Sequence, residues 1–277
     1  MTGFSPEWLA LREPVDHRSR DTGLALQLAG HFAGRDTIRI VDLGCGAGSN
    51  LRGTFASLPA TQRWVLVDYD PRLLETARST LTAWADTVAE QGDTLHLSKD
   101  GKDLHISFRQ CDLNRELDDA LGDAPDLVTA AAFFDLASAA FMQRLAAAIA
   151  RRRAVFYTVL TYNGDQQWTP SHEADRLLCD AFHHHQLGDK GFGPSAGPRA
   201  PGVLADAFSS VGYQVREGDS PWHLTPGDQQ LIADLAPGFA SAAGETGRVD
   251  ADTIRAWSSV PRTGAIVGHT DTLALPA

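Results

Sequence analysis

Apolar positions along this chain switch between a period of two and a period of 3.6, and the switches mark out a βα succession. The run Ile38-Arg39-Ile40-Val41-Asp42-Leu43 is β-branched and of strand length, and it stops at Gly44-Cys45-Gly46-Ala47-Gly48. Leu51, Phe55 and Leu58 follow at helical spacing, which puts the glycines on a strand-to-helix turn. Trp64–Asp68 reads as a second strand. Asp70-Pro71 then starts a helix whose apolar face is Leu74, Ala77, Leu81, Trp84 and Val88. Residues 94–108 alternate on either side of Asp100-Gly101, the pattern of a β-hairpin whose second arm continues to Gln110-Cys111-Asp112-Leu113. Pro125–Asp135 is a fourth strand running into a loop, Ser138 caps a helix carrying Phe141, Leu145 and Ile149, and Ala154–Tyr162 is a fully apolar fifth strand. Thr169-Pro170 predicts the next helix start, with Ala174, Leu177, Leu178, Ala181, Phe182 and then His185 on its buried face. A helix over Val203–Val211 precedes a sixth strand, Tyr213–Arg216, and a last strand runs from Ile266 to Leu275. Ahead of all this, Ser5-Pro6 starts a helix, Arg12–Arg20 is a charged hinge, and Leu24, Leu28 and Phe32 resume a helical stripe.

Strands alternating with helices predict an α/β domain with a mostly parallel sheet, and 277 residues suit one such domain. Its parts are a helical arm over 1–35, a core, and an insertion over 163–199 after the fifth strand. Composition narrows the partners. Asp and Glu outnumber Lys and Arg by 35 to 24, and the net charge of -11 has the wrong sign for a nucleic acid. No apolar run reaches the length of a membrane helix, and no basic-then-apolar start suggests an export signal. Three scattered cysteines, Cys45, Cys111 and Cys179, argue against a disulfide framework and against a zinc site, and fit a reducing, cytoplasmic setting.

The chemistry concentrates at the glycine turn, where backbone N–H groups and a helix N-terminus face a ligand with no Cβ in the way. Two readings compete there. A dinucleotide fingerprint, G-x-G-x-x-G, needs a glycine at the sixth position from Gly44, and that position is Ser49. Asp42 would also repel a diphosphate, whereas it suits a cationic amine. A ligand with an ammonium, a ribose and an adenine, and no phosphate, fits better. Asp68, ending the second strand, suits the ribose hydroxyls.

Around residues 41–50 the chain resembles motif I of the class I S-adenosylmethionine-dependent methyltransferases. The resemblance covers residues 36–162 well and 200–275 loosely. It implies a seven-stranded sheet of order 3-2-1-4-5-7-6 with strand 7 antiparallel. It also implies that S-adenosylmethionine is bound, and S-adenosylhomocysteine released, by Asp42, Gly44, Cys45, Gly46, Gly48 and Asn50. Asp68 would take the ribose, with Tyr69 beside the adenine. Asp112, between Cys111 and Leu113, would take the adenine amino group, and Ala131 and Phe133 would face the transferable methyl. The fourth-strand motif of amine-directed nucleic-acid and protein enzymes is absent, since Ala131-Ala132-Phe133-Phe134 stands there. A small-molecule acceptor is therefore expected, with the methylated atom left open.

Candidates for a general base are His172, the run His183-His184-His185, His223, His269 and Asp135. Among the histidines His185 stands out on an otherwise apolar helix face, with His183 and His184 off it, so His185 and Asp135 are the expected bases. Asp135 either faces the substrate or caps the helix that begins near Ser138. The insertion over 163–199, leaving a strand that ends beside the site, is expected to form a glycine-hinged lid. Tyr162, Trp168, Asp189, Lys190 and Phe192, with Arg12 from the arm, would contact the substrate. Two other functions fit the same glycine turn: a binding protein that holds the cofactor without turnover, and a dinucleotide-dependent oxidoreductase.

Overall fold

The computed structural model describes residues 4–277, so the first three residues of the expected arm lie outside it. Helices α1 (Pro6–Ser19) and α2 (Thr22–His31) lead into β1 (Thr37–Leu43), α3 (Ser49–Thr54), β2 (Thr61–Asp68) and α4 (Pro71–Trp84). Next come β3 (Thr87–Gln91), β4 (Thr94–Lys99), β5 (Lys102–Gln110), α5 (Leu117–Leu121), β6 (Leu127–Ala131) and α6 (Ala139–Arg152). The long β7 (Val155–Thr169) is followed by α7 (Asp175–Gln186), α8 (Ala200–Ser210), β8 (Tyr213–Asp219) and β9 (Trp222–Leu224). Helices α9 (Gln229–Glu245) and α10 (Ala251–Ser258) precede β10 (Gly264–Pro276).

The sheet corrects the expectation of seven strands. Among the described residues it has ten, in the order β3-β4-β5-β2-β1-β6-β7-β10-β8, with β9 paired to β10. Its order departs from the expected one because an antiparallel pair, β3 and β4, widens the edge beyond β5, and β9 adds to the other half. The inner strands β5, β2, β1, β6 and β7 are parallel, and β10 runs antiparallel between β7 and β8. Val88, expected on the buried face of α4, sits in β3 instead and is 42% exposed. The helix ends at Trp84 because Ala85 turns extended, and Val88 then pairs with Leu97 across the ladder. Leu81 and Trp84 keep their helical spacing in α4, and only the step to Val88 was coincidental, overridden by strand pairing.

Apolar layers cover both faces. One face packs Leu28, Phe32, Leu51, Leu74, Leu81 and Leu178 against the sheet, and the other packs Phe141, Leu145, Ile149, Leu204 and Phe208. Between β1 and β6 the chain reverses its direction of travel across the sheet. In open parallel sheets that point leaves a crevice at the carboxyl ends of the strands.

Two further departures shape this crevice. The charged stretch after Arg12 is helical through Ser19, because its charges find partners along and beyond the helix. Arg12 forks onto Asp16, Glu13 onto Arg52 of α3, and Arg18 reaches Asp228. Strand β7 passes Tyr162 and continues to Thr169, which pairs with Gly264 of β10 and so cannot cap a helix. Helix α7 starts at Asp175 instead. Where the β7–β10 register shifts, Leu160 takes a left-handed φ of 59° and donates its N–H to Asp271 Oδ1 at 2.7 Å. The same fully buried carboxylate accepts from Ser220 Oγ (2.6 Å) and from the N–H of Asp21 (2.9 Å), tying α2 to the sheet.

A candidate active site at the glycine turn

Gly44, Gly46 and Gly48 have φ of 63°, 53° and 77°, the left-handed region that side-chain-bearing residues avoid. Space adds a second requirement. A Cβ on Gly44 would lie 2.8 Å from the Phe133 ring, and one on Gly46 would lie 3.2 Å from Leu9 of α1. The turn is held by the Cys45 N–H on Val67 O (3.0 Å) and the Gly48 N–H on Cys45 O (2.9 Å). Burial raises the Cys45 thiol far above its ordinary pKa, so it stays neutral here.

Two acids brace the turn. Asp68 Oδ2 accepts the Gly46 N–H at 2.9 Å and its Oδ1 accepts the Asp70 N–H at 3.0 Å, while burial pushes its carboxyl upward. Asp70 itself caps α4, as its position before Pro71 predicts. Asp42 is fully buried, and Oδ1 accepts from Asn50 Nδ2 at 2.8 Å. Oδ2 is buried without a hydrogen-bond partner among the described residues, and desolvation lifts this carboxyl to about 7. Asn50, expected to touch the cofactor, is itself buried and spends its amide on Asp42 and on Thr129 Oγ1 (3.0 Å). Its place is behind Asp42, orienting it.

Around the rim, Tyr69 is 68% exposed and Leu113 is buried. The Cys111 N–H donates to Asp68 O at 3.0 Å, so β5 and β2 hold their two ends together. Asp112 turns back on its own loop, with Oδ1 on the Asn114 N–H at 3.0 Å and Arg115 Nε 3.4 Å from Oδ2. Ala131 ends β6, and Phe133 stands edge-on to Phe134 and Phe192 at centroid distances of 5.1 and 5.3 Å. Through Phe192, which also packs on Phe141, the segment after α7 lies against the crevice. That segment is tied down. Ser195 Oγ lies 2.9 Å from both Leu136 O and Gly188 O and donates its one proton to either, the Ala196 N–H donates to Ala137 O (2.8 Å), and Asp189 Oδ1 accepts from Gly191 and Gly193 (2.7 and 3.0 Å). Asp189 thus shapes its own loop, and Lys190 stands half-exposed on it.

A second cluster of polar and aromatic side chains adjoins the turn, where α1, β7, β9, β10 and α7 meet. Tyr162 and His269 are cross-strand partners, with rings 6.2 Å apart, and Trp222 lies 5.2 Å from His269. Arg12 lies over Trp222 at 5.0 Å, and the Trp222 indole N–H donates to Asp16 Oδ1 at 3.0 Å. Burial and the Arg12 charge push His269 down to about 3, so its imidazole is neutral. Asp135 is half-buried and lies within charge range of Arg12 and Tyr162. Ser138, with Oγ on the Phe141 N–H at 3.2 Å, caps α6, which leaves Asp135 without that role.

The histidines sort differently from their helical pattern. His183 points to the sheet, its Nε2 3.0 Å from Tyr162 OH and 3.4 Å from Cys179 Sγ, and burial lowers its pKa. His185, the expected base, pairs outward with Glu245 of α9 at 3.1 Å. Trp168 is likewise displaced from its expected role. It is 5% exposed and packs on Trp257 and Phe239 (5.3 and 5.5 Å), because the extension of β7 carries it past the crevice. Residue periodicity could not show Trp222 and His269 meeting Tyr162, since their proximity comes from pairing β10 with both β7 and β9.

No family model matches the chain, and no curated protein matches it. Solved structures do. The cyclopropane synthase MmaA2 of Mycobacterium tuberculosis superposes with a TM-score of 0.53 at 10% identity, over 98% of this chain and 94% of that one. A cyclopropane-fatty-acyl-phospholipid synthase-like protein of Lactobacillus casei ATCC 334 gives 0.53 at 16% identity, over 95% and 99%. BH2331 of Bacillus halodurans C-125, a candidate methyltransferase, gives 0.50 at 10% identity, over 91% and 99%. The fold is that of the class I S-adenosylmethionine-dependent methyltransferases.

Proposed function

We propose that this chain transfers the methyl group of S-adenosylmethionine to a small-molecule acceptor. The observation that carries this reading is the unpaired oxygen of Asp42, a desolvated carboxylate beside a turn of three left-handed glycines, the first of them too close to Phe133 for a Cβ. Such a site suits a cationic ammonium and repels a diphosphate, which favours this cofactor over a dinucleotide. The cradle of Gly44, Gly46 and Gly48 would take the amino-acid part of the cofactor, with no Cβ in its way. Asp68, Tyr69, Cys111, Asp112 and Leu113, on neighbouring strand ends, would take the ribose and adenine. Once bound, the cofactor supplies an electrophilic methyl on a sulfonium. The protein's part is alignment and exclusion of water, and Leu9, Phe133 and Phe192 wall the crevice with apolar surface.

The acceptor would enter the compartment of Arg12, Asp135, Tyr162, Trp222 and His269. Here Asp135 is the favoured base. His183, hydrogen-bonded to Tyr162, is better placed to position that hydroxyl than His185 is to reach the compartment. Calorimetric titration tests the assignment. S-adenosylmethionine and S-adenosylhomocysteine should bind with micromolar affinity and NAD should not. Failure of both adenosyl ligands would end the reading, and binding with no turnover on any acceptor would recast the protein as a sensor.

A further inference from the structure

Within the acceptor compartment one charge lacks a counterpart. Arg12 is forked onto Asp16 through Nε and Nη2 (2.9 and 3.2 Å), so those two charges offset each other. His269 and His183 are both held neutral by burial, and the Tyr162 hydroxyl is pushed well above its ordinary pKa. Asp135 remains. No described side chain donates a hydrogen bond to it, and it keeps access to solvent although the protein around it desolvates it. A second unmet polar atom lies in the same compartment: His269 is 6% exposed and its Nδ1 is buried with no partner. The remaining walls are the rings of Tyr162, Phe182 and Trp222.

We propose that the acceptor is a small amine, bound as its ammonium against Asp135 with its apolar part on the rings of Tyr162 and Trp222. This rests on the methyl-transfer reading above and names its acceptor class. A phosphate or carboxylate acceptor would meet the Asp135 charge while the one guanidinium in the compartment is already engaged. A plain alcohol would donate only a neutral hydrogen bond to that carboxylate, weaker than the charge-assisted bond an ammonium makes. The chemistry closes without another reactant. One ammonium proton passes to Asp135 and frees the nitrogen lone pair. That pair forms the N–C bond to the methyl as the S–C bond breaks, its electrons staying on sulfur. The products are a neutral thioether and a methylated ammonium.

Binding can be read apart from turnover. The protein is first saturated with S-adenosylhomocysteine, in the wild type and in Asp135→Asn. Each is then titrated calorimetrically with primary amines paired with alcohols of the same skeleton, 2-phenylethylamine against 2-phenylethanol at their head. In the wild type the amine of the best pair should bind roughly tenfold or more tightly than its alcohol. In Asp135→Asn that preference should disappear while S-adenosylhomocysteine affinity stays within about twofold. Equal or tighter binding of the alcohols, no binding by any amine, or a preference that survives Asp135→Asn would each overturn the inference. Absence of S-adenosylhomocysteine binding would instead strike the reading beneath it.

Discussion

At the scale of single residues, Asp42 carries the sharpest conflict between stability and function. Its carboxyl is lifted from an ordinary 3.8 to about 7, foremost by burial, with the Asn50 amide opposing the shift. Between those two values the folded chain holds a proton that the unfolded chain has released. The stability this group lends is therefore complete below pH ~4 and is lost as pH rises through about 7. Three pKa units correspond to roughly 4 kcal/mol, an upper bound because the buried site can relax. Asp42→Asn removes the charge and keeps the shape. Thermal melts of the ligand-free variant should lie above those of the wild type at pH 8 and converge with them near pH 4. The same substitution should abolish S-adenosylhomocysteine binding. A variant that binds normally would show that the unpaired oxygen is not the anchor.

Elements carry the next level of control, and α1 is the clearest. Arg52 of α3 is 5% exposed at its side chain and makes two contacts to Glu13, at 2.7 and 2.5 Å, plus one to Ala47 O at 3.0 Å. His17 Nε2 adds contacts to Ser49 O and Oγ at 3.0 and 3.1 Å. Removing the guanidinium strands a half-buried carboxylate, a loss of about 3 kcal/mol. Arg52→Met should speed hydrogen exchange of the α1 amides far more than those of β1 or β2. Uniform exchange across the chain would mean that α1 does not open on its own. This element also shows where sequence runs out. Ser5 as the cap, the glycine turn, Asp70 as a cap and the Asp100-Gly101 hairpin are local signals, set by chemistry within four residues, and all were legible. Helical structure across the charges of Arg12–Ser19 was not, because the partners lie 39 and 210 positions away in Arg52 and Asp228. The passage of β7 through Thr169 was hidden for the same reason: only β10, far downstream, makes that segment a strand. His183 and His185 are two residues apart on one helix, so a choice between their faces depended on what packs against each.

Across the whole molecule, the glycine turn and the acceptor compartment share a wall. Leu9 of α1 lies on Gly46, and one turn later Arg12 of the same helix stands over Trp222. Glu13 and His17 then fasten that helix to α3, whose N-terminus follows the glycines directly. Any movement of α1 wide enough to admit a nucleoside therefore also takes Arg12 away from Trp222 and Asp16's indole contact, and so takes apart the place where the acceptor would sit. The order of events follows from this shared part. On the proposed function, the adenosyl compound would arrive first, the acceptor would find its seat only after α1 had settled, and the spent thioether would be the last to leave. Steady-state inhibition should show it: a dead-end analogue of the acceptor should be uncompetitive against S-adenosylmethionine. A random-order pattern would mean that the two doors open independently.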